Sequence, residues 1–321
     1  MIKIKRLKVS NINSEELNLF ILKNKGLIFH EPEFNLIVSE FYNTYFFYWI
    51  AYDKKEIVGL CPGHLIKNKL LNQIHSNPTI FEIPYGGWVY NRSKVSLSVL
   101  LSKMDIKFNE SLSYWSSFEG SEEISKKKYY MKNETAIINL KDSEDDIFKN
   151  VISKNTRHNI RRSEKKGVSF KSLNISDFEE FEGLSDSLKL SLDMDLPEKG
   201  FYKKLFDHYH NDNKISALVA IFNGKNIAGL LTIGNENCMH AWIAGRVKEL
   251  PKNIYQNELL WWESIKWAKK RNSGKYDLCV IEKQRLPGIA QFKLGFSKNL
   301  ISFYHLPIRP ISYRVLNRIL P

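Results

Sequence analysis

The densest reactive chemistry in the sequence lies between Ser143 and Gly167, where Lys154, Arg157, His158, Arg161, Arg162, Lys165 and Lys166 are opposed within their run only by Glu164. Cations at this density can hold phosphate, whether on a nucleotide, a nucleic acid or a lipid surface. Ser143 followed by Glu144, Asp145 and Asp146 reads as a helix start: an N-cap oxygen, then carboxylates at the positive end of the dipole. Gly167 reads as a stop, so the spacing predicts one helix across residues 143–167. At ~100° per residue, Ile152, Thr156, Ile160 and Ser163 share one face and the cations take the other. One side of this helix packs and the other is basic. A solvated helix face is built from the same residues, so both readings stay open.

Other reactive patterns are notable for what they exclude. No GxxxxGK[ST], no early GxGxxG, no HExxH, no GxSxG and no CxxC occurs, which removes kinases, common dehydrogenases and zinc hydrolases. Cys61, Cys238 and Cys279 are odd in number and far apart. They give neither a disulfide framework nor a metal spacing, and read as small buried residues in a reducing compartment. The string Arg285 to Ala290 fits [Q/R]xxGx[G/A], a loop that receives the pyrophosphate of acetyl-CoA on backbone N–H groups in N-acetyltransferases. Such a loop belongs before a crossover helix, however, and this string follows the strand after it. The segment in the right place, Gly245–Asn257, has no such motif.

The elements that would carry these residues are written twice. Tyr52–Leu60 (YDKKEIVGL) and Phe222–Leu230 (FNGKNIAGL) repeat an aromatic, a polar turn with Lys in fourth place, then Ile, a small residue, Gly and Leu. Each reads as a tight hairpin flanked by apolar strands. After each copy come a strand, a Gly-containing loop, a helix (Val95–Met104; Asn257–Lys270) and a strand (Leu112–Phe118; Tyr276–Ile281). The chain has 321 residues and 43% apolar content, enough for two cores. The order predicts an α/β (α+β) protein of tandem domains, each a mixed, mostly antiparallel sheet with flanking helices. The expected division is 1–140, a basic linker helix 141–170, and 171–321 ending in a basic tail. With 48 Lys+Arg against 35 Asp+Glu the formal charge is +13, which favours polyanionic partners without choosing among them. MIKIKRLKVS lacks the apolar core of a signal peptide, and no apolar run approaches a membrane span, so the expected location is cytoplasmic.

At this point a resemblance becomes specific. Arg157, Ile160, Arg161, Glu164, Lys165, Gly167 and Val168 fit R-x-x-I-R-x-A-E-K-x-G-V, with Ser163 in place of Ala. This resembles the linker-helix signature of Fem-type (FemA/FemB/FemX-like) transferases and of related acetyltransferase-like proteins of polysaccharide clusters. Ile227–Leu231, Asn257–Ala268 and Tyr276–Asp277 resemble the second domain of that group, and Gly288–Phe296 its closing G-x-x-x-F-K-x-x-F segment. Phe29–Phe34 with Tyr85, Gly86 and Gly87 resembles the first domain. Two departures stand out. Leu192–Phe201 lacks the arginine of a Thr-x-x-Arg element, Lys199 being its one cation, and no coiled-coil arm is present. Lysine lacks the bidentate fork of arginine, so both departures favour the acetyltransferase-like branch.

The resemblance implies tandem GNAT-like domains and amide-forming acyl transfer. An acetyl or acyl group from CoA, or an aminoacyl group from tRNA, passes to an amine of a cell-envelope or polysaccharide precursor, nucleotide- or lipid-linked, with no metal required. The amine must lose a proton and the tetrahedral oxyanion must be stabilised. By this resemblance Lys293, after Phe292, is the group that stabilises the developing charge, and Asp277 orients or deprotonates the amine. Arg157 and Arg161 contact phosphate, Tyr85, Gly86 and Gly87 line the first-domain side of a cleft, and Glu263 is a site carboxylate. The residues alone also allow plainer roles: a snorkelling Lys293, an Asp277 that caps a turn, a turn at Tyr85–Gly87, a satisfied buried Glu263. The aminoacyl-tRNA-dependent peptidoglycan-bridge transferase is one alternative, and a non-catalytic RNA- or glycan-binding module another. The tail Ile308–Pro321, alternating Arg309, Arg314 and Arg318 with apolar residues, offers either peripheral contact with the inner membrane face or a docked terminal helix.

Overall fold

The computed structural model of the protein describes residues 1–68, 71–76, 82–119, 123–124, 130–249 and 254–310. The backbone groups into two compact units, one of residues 1–133 with 302–321 and one of residues 134–301.

The first unit runs β1 (Ile2–Leu7), α1 (Ser14–Lys23), α2 (Pro32–Phe41), β2 (Tyr45–Asp53), β3 (Glu56–Ile66), β4 (Asn72–His75), β5 (Val89–Tyr90), α3 (Leu97–Ser102) and β6 (Glu110–Trp115). Its strands lie in the order β1-β2-β3-β4-β6, with β5 on β3, and β4 pairs with β6 in parallel. The aromatic run of β2 is buried on both faces, which is why it reads as unbroken apolar sequence. Phe46, Tyr48 and Ile50 pack with Leu17 and Ile21 of α1, while Phe47, Trp49 and Ala51 pack with Leu97 and Leu100 of α3. Strand alternation therefore shares one segment between two helical layers.

The second unit runs β7 (Met131–Asn139), α4 (Glu144–Asp146), α5 (Lys154–Lys165), β8 (Ser169–Ser172), α6 (Glu179–Ser191), α7 (Phe201–Tyr209), β9 (Ile215–Phe222), β10 (Lys225–Gly234), β11 (Met239–Arg246), α8 (Gln256–Lys269), β12 (Lys275–Val280) and α9 (Pro287–Phe296). The order in its sheet is β7-β12-β11-β10-β9-β8, parallel at β11–β12 and antiparallel elsewhere. Last comes β13 (Leu300–Ile308), which pairs with β6 and so completes the first unit's sheet. The architecture is the expected mixed α/β one, and no coiled coil occurs among the described residues.

Both hairpins of the repeated string form. Asp53 faces Glu56 across a two-residue turn, as Phe222 faces Lys225. In the second turn Asn223 (φ 49°) and Gly224 (φ 72°) both take the left-handed values that such hairpins require. The repeats also exchange strands. β7 ends the first repeat but pairs with β12, whereas β13 ends the second and pairs with β6.

One expectation is corrected. Residues 143–167 do not form a single helix: a helical turn capped by Ser143 passes through a π-helical turn, Ile147–Val151, and stops at extended Ile152. Ser153 then caps a new helix, its Oγ accepting from Thr156 N–H. A second Ser/Thr-type cap inside the run restarts the helix, a local signal as strong as the one at Ser143. Thr156, Asn159, Ile160 and Ser163 form its buried face, so α5 lies packed within the second unit. Most of the tail from Ile308 lies outside the described residues. No helix among the described residues is long and apolar enough to cross a membrane.

Candidate functional site

The parallel strands β11 and β12 pair at only two positions, Met239 with Tyr276 and His240 with Asp277. Beyond them β11 continues to Arg246 while β12 bends away. The bend is local: the register of β12 against β7 slips between Asp277 and Val280, and Cys279 sits at φ 58°. A bulge with one residue in the left-handed region turns a strand out of its ladder and re-aims its side chains. The sheet is thus parted after His240 and Asp277.

A polar cluster sits at the fork. The Asp277 carboxylate is fully buried. Its Oδ1 accepts from the Thr135 hydroxyl and from Cys279 N–H at 3.1 Å, and its Oδ2 lies 2.7 Å from His240 Nδ1. Thr135 Oγ1 also lies 3.0 Å from the Cys279 carbonyl. Three strands, β7, β11 and β12, therefore fix one anion.

From α9, the half-buried Lys293 donates through Nζ to the carbonyl of Val280 at 2.9 Å. Burial pushes its ammonium below the usual lysine range, and the charges of Cys279, Asp277 and Glu282 pull it part of the way back. Burial and the Asp277 charge push the Cys279 thiol well up, so it is not a ready nucleophile. His240, Asp277 and Cys279 bring ligand-type atoms within 4.8 Å of one another. Three donors, a hydroxyl, an amide and an imidazole, already occupy the carboxylate there, and its charge acts on Lys293.

Of the residues picked out in the sequence, Asp277 is near enough for its charge to act on Lys293, whose own hydrogen bond goes to the Val280 carbonyl three residues further along β12. Phe292, next to the lysine, packs edge-on against Trp261 and near Phe296, anchoring α9 to α8. Glu263 is buried with an ion pair to Lys266 at 2.5 Å, one turn along α8. Arg157 turns inward: its Nη1 donates to the carbonyls of Lys149 and Ile152, both at 2.5 Å, closing the π-helical turn. Arg161 is exposed and lies over the Phe148 ring at 5.2 Å.

In the first unit, Tyr85 is fully buried among Phe29, Phe118 and Phe303. The Gly86 carbonyl lies 3.0 Å from His30 Nε2. Gly87, at φ 77°, lets the chain pass so close to β6 that a Cβ would stand 2.7 Å from the Trp115 carbonyl. The pyrophosphate-like string Arg285–Ala290 opens α9, after β12, and Arg285 pairs with Glu282.

Thr135, His240 and Cys279 were not singled out in the sequence. The repeat held a signal for two of them. In the first unit the last parallel pair is His75 with Ser113, the counterpart of His240 with Asp277. There β13 supplies His305, whose Nε2 lies 2.9 Å from Ser113 Oγ, where β7 supplies Thr135 in the second unit. Thr135 and His305 stand 170 residues apart, like Gly59 and Gly229. The first-unit trio holds no carboxylate, whereas the second-unit trio centres on an acid whose charge acts on Lys293.

The FemAB family model matches residues 118–226. A comparison with curated proteins finds no match. Among solved structures, FemX superposes with a TM-score of 0.72 at 11% identity, covering 98% of this chain and 99% of that one. L-PGS from Bacillus licheniformis gives 0.54 at 13% identity, with 96% and 97% covered. A tandem GNAT protein from the clavulanic acid biosynthesis pathway gives 0.50 at 10% identity, with 97% and 99% covered. At such identities the solved structures speak for the fold, and the family match speaks for the segment that holds α5. The chain is thus similar to the FemAB family over residues 118–226 and shares its fold with FemX and with a tandem GNAT protein.

Proposed function

We propose that the protein is an acyltransferase that forms an amide on an amine of a cell-envelope or polysaccharide precursor. The observation that carries this reading is the fork of β11 and β12, where the half-buried Lys293 is tied to the backbone of the strand that bears a fixed, buried carboxylate. Attack of an amine on an acyl ester builds negative charge on the carbonyl oxygen, and a preorganised ammonium in a partly dry site stabilises that charge strongly. Lys293 takes this role. Asp277 is fully buried and already accepts from three donors, so it acts through Lys293, and the amine's proton passes to the ester oxygen that departs as the C–O bond breaks, leaving an amide and a free hydroxyl.

For the donor, we favour an aminoacyl ester carried by tRNA over acyl-CoA. A CoA diphosphate would seat at the N-terminus of the crossover helix, α8. That end is packed by α5: Tyr255 N–H donates to Ser163 Oγ at 3.1 Å, and Asn159 donates to the first-turn carboxyl of Glu258 at 2.9 Å. Burial pushes the Glu258 carboxyl up. The FemAB match and the fold shared with FemX support the same choice, as does the exposed basic surface of α5 at Arg161 and Lys165, continued by Lys166 at its C-cap.

Purified protein given charged tRNA and nucleotide- or lipid-linked muropeptides should transfer the aminoacyl group, and Lys293→Ala should slow it by about 10²–10³-fold. Saturable micromolar binding of acetyl-CoA in calorimetry would overturn the donor assignment. Salt-sensitive RNA binding with no turnover from any donor would make the chain a binding module instead.

A further inference from the structure

The strand fork contains more polar machinery than a single lysine needs. Asp277 lies on β12, but two of the three groups that hold it come from other strands, Thr135 from β7 and His240 from β11. All three side chains are buried, Thr135, His240 and Asp277 each at 0% exposure. Burying a carboxylate, an imidazole and a hydroxyl together is costly unless each has a partner with good geometry. The arrangement therefore calls for a reason beyond packing, and the equivalent place in the first unit supplies a contrast. His75, Ser113 and His305 occupy the corresponding strands there, with no carboxylate. The acid of the second unit goes with its lysine.

We propose that Thr135 and His240 are positioning residues that hold the Asp277 carboxylate as the immobile counter-charge of Lys293. The left-handed turn at Cys279 is part of the device. It lets the Cys279 N–H reach back to Asp277 Oδ1, and in the same stretch Val280 presents its carbonyl to Lys293 Nζ. One bulge thus connects the anion to the cation through the backbone. Besides Asp277, the titratable groups acting on Lys293 are the Cys279 thiol on β12 and Glu282 just beyond it. Of these only the carboxylate is held by donors from neighbouring strands. If Thr135 or His240 is lost, the carboxylate is free to swing from its place, and Lys293 gives up its own proton more readily. The inference rests on the acyl-transfer reading only for why a fixed charge is useful, since the charge relation itself can be read without any substrate.

The test is competitive amine labelling of the full-length protein with an acetylating reagent across a pH series, read by peptide mass spectrometry at Lys293, with exposed Lys298 as internal standard. Thr135→Val removes only the hydroxyl, His240→Ala the imidazole, and Asp277→Asn the charge. In each, the labelling curve of Lys293 should move to lower pH, with about tenfold faster reaction at a fixed pH, a shift of roughly one unit. Thr135→Ser should restore the wild-type curve, which lost packing alone would not do. An unchanged Lys293 curve in Thr135→Val, with thermal melting preserved, overturns the proposal. So does a shift seen in Asp277→Asn but in neither of the other two variants. A curve that moves as expected in a protein that transfers no acyl group leaves this inference standing and removes the functional reading.

Discussion

Two backbone conformations at single residues decide much about this chain. Gly87 passes β6 at φ 77° with no room for a Cβ, the Trp115 carbonyl and the Tyr114 hydroxyl each standing 2.7 Å from where one would be. Gly87→Ala should cost about 2–3 kcal/mol, from left-handed strain and the contact with backbone, measured as a lower denaturant midpoint at constant slope. Cys279 holds φ 58° without being glycine. Cys279→Gly should fold and keep Lys293 in place, while β-branched Cys279→Val should abolish transfer by straightening the bulge; comparative melting and turnover assays decide this. Of the proposed site, Lys293 and Asp277 were singled out through the resemblance to Fem-type sequences. His240 was not, because its partner lies 37 residues away on a parallel strand and its sign in the sequence is the distant His75 of the other repeat. Arg157 misled for the opposite reason. Its neighbourhood is strongly basic, yet its guanidinium is spent on carbonyls of a turn whose existence depends on the second cap at Ser153.

Among the elements, the central strands of the first unit carry a histidine ladder. His64 on β3 faces His75 on β4, and His305 on β13 joins through Ser113 of β6. Burial pushes His64 down to about 3, with the neighbouring His75 adding to the effect; burial also lowers His75 and His305. A depressed folded-state value means that the unfolded chain binds protons first. The stability these residues carry is intact above about 6.5, their unfolded value, and is lost as pH falls from there towards about 3. His64, bonded to Thr44 and Asn35 and fully buried, accounts for the largest part, on the order of 4 kcal/mol. Urea unfolding followed at falling pH should show this loss, and His64→Gln should flatten the profile. A second element contact is tighter still. α6 lies on β11 so closely that a Cβ at Gly245 would come within 2.5 Å of the Ser185 nitrogen. Gly245→Ala should lever the helix off the sheet and lower the thermal midpoint. The hairpins, the crossover helices and the mixed sheets could all be read from the repeat and from periodicity. The interruption of residues 143–167 had one local sign, the cap-type Ser153, which the shared face of Ile152, Thr156, Ile160 and Ser163 does not reveal because all four lie at or after the break.

At the scale of the molecule, the repeat seen in the sequence and the units seen in space are not the same division. β7 and β13 each complete the sheet that begins in the other half of the chain. Self-similarity in sequence shows which strands correspond, but strand exchange leaves no local trace, because a swapped strand has the same alternation as an unswapped one. A fragment of residues 134–301 retains every strand of the second unit from Glu134 onward and should give a cooperative unfolding transition. A fragment starting at residue 141 lacks β7, and with it Thr135, and should show no such transition by circular dichroism. The exchange also bears on how the protein comes into being. A ribosome delivers the strands in numerical order, so β6 emerges early and its outer edge has no neighbour until residue 308 has been made. Through most of synthesis the nascent first unit carries an open edge, the surface that invites pairing with other chains. The half made first is thus the half finished last.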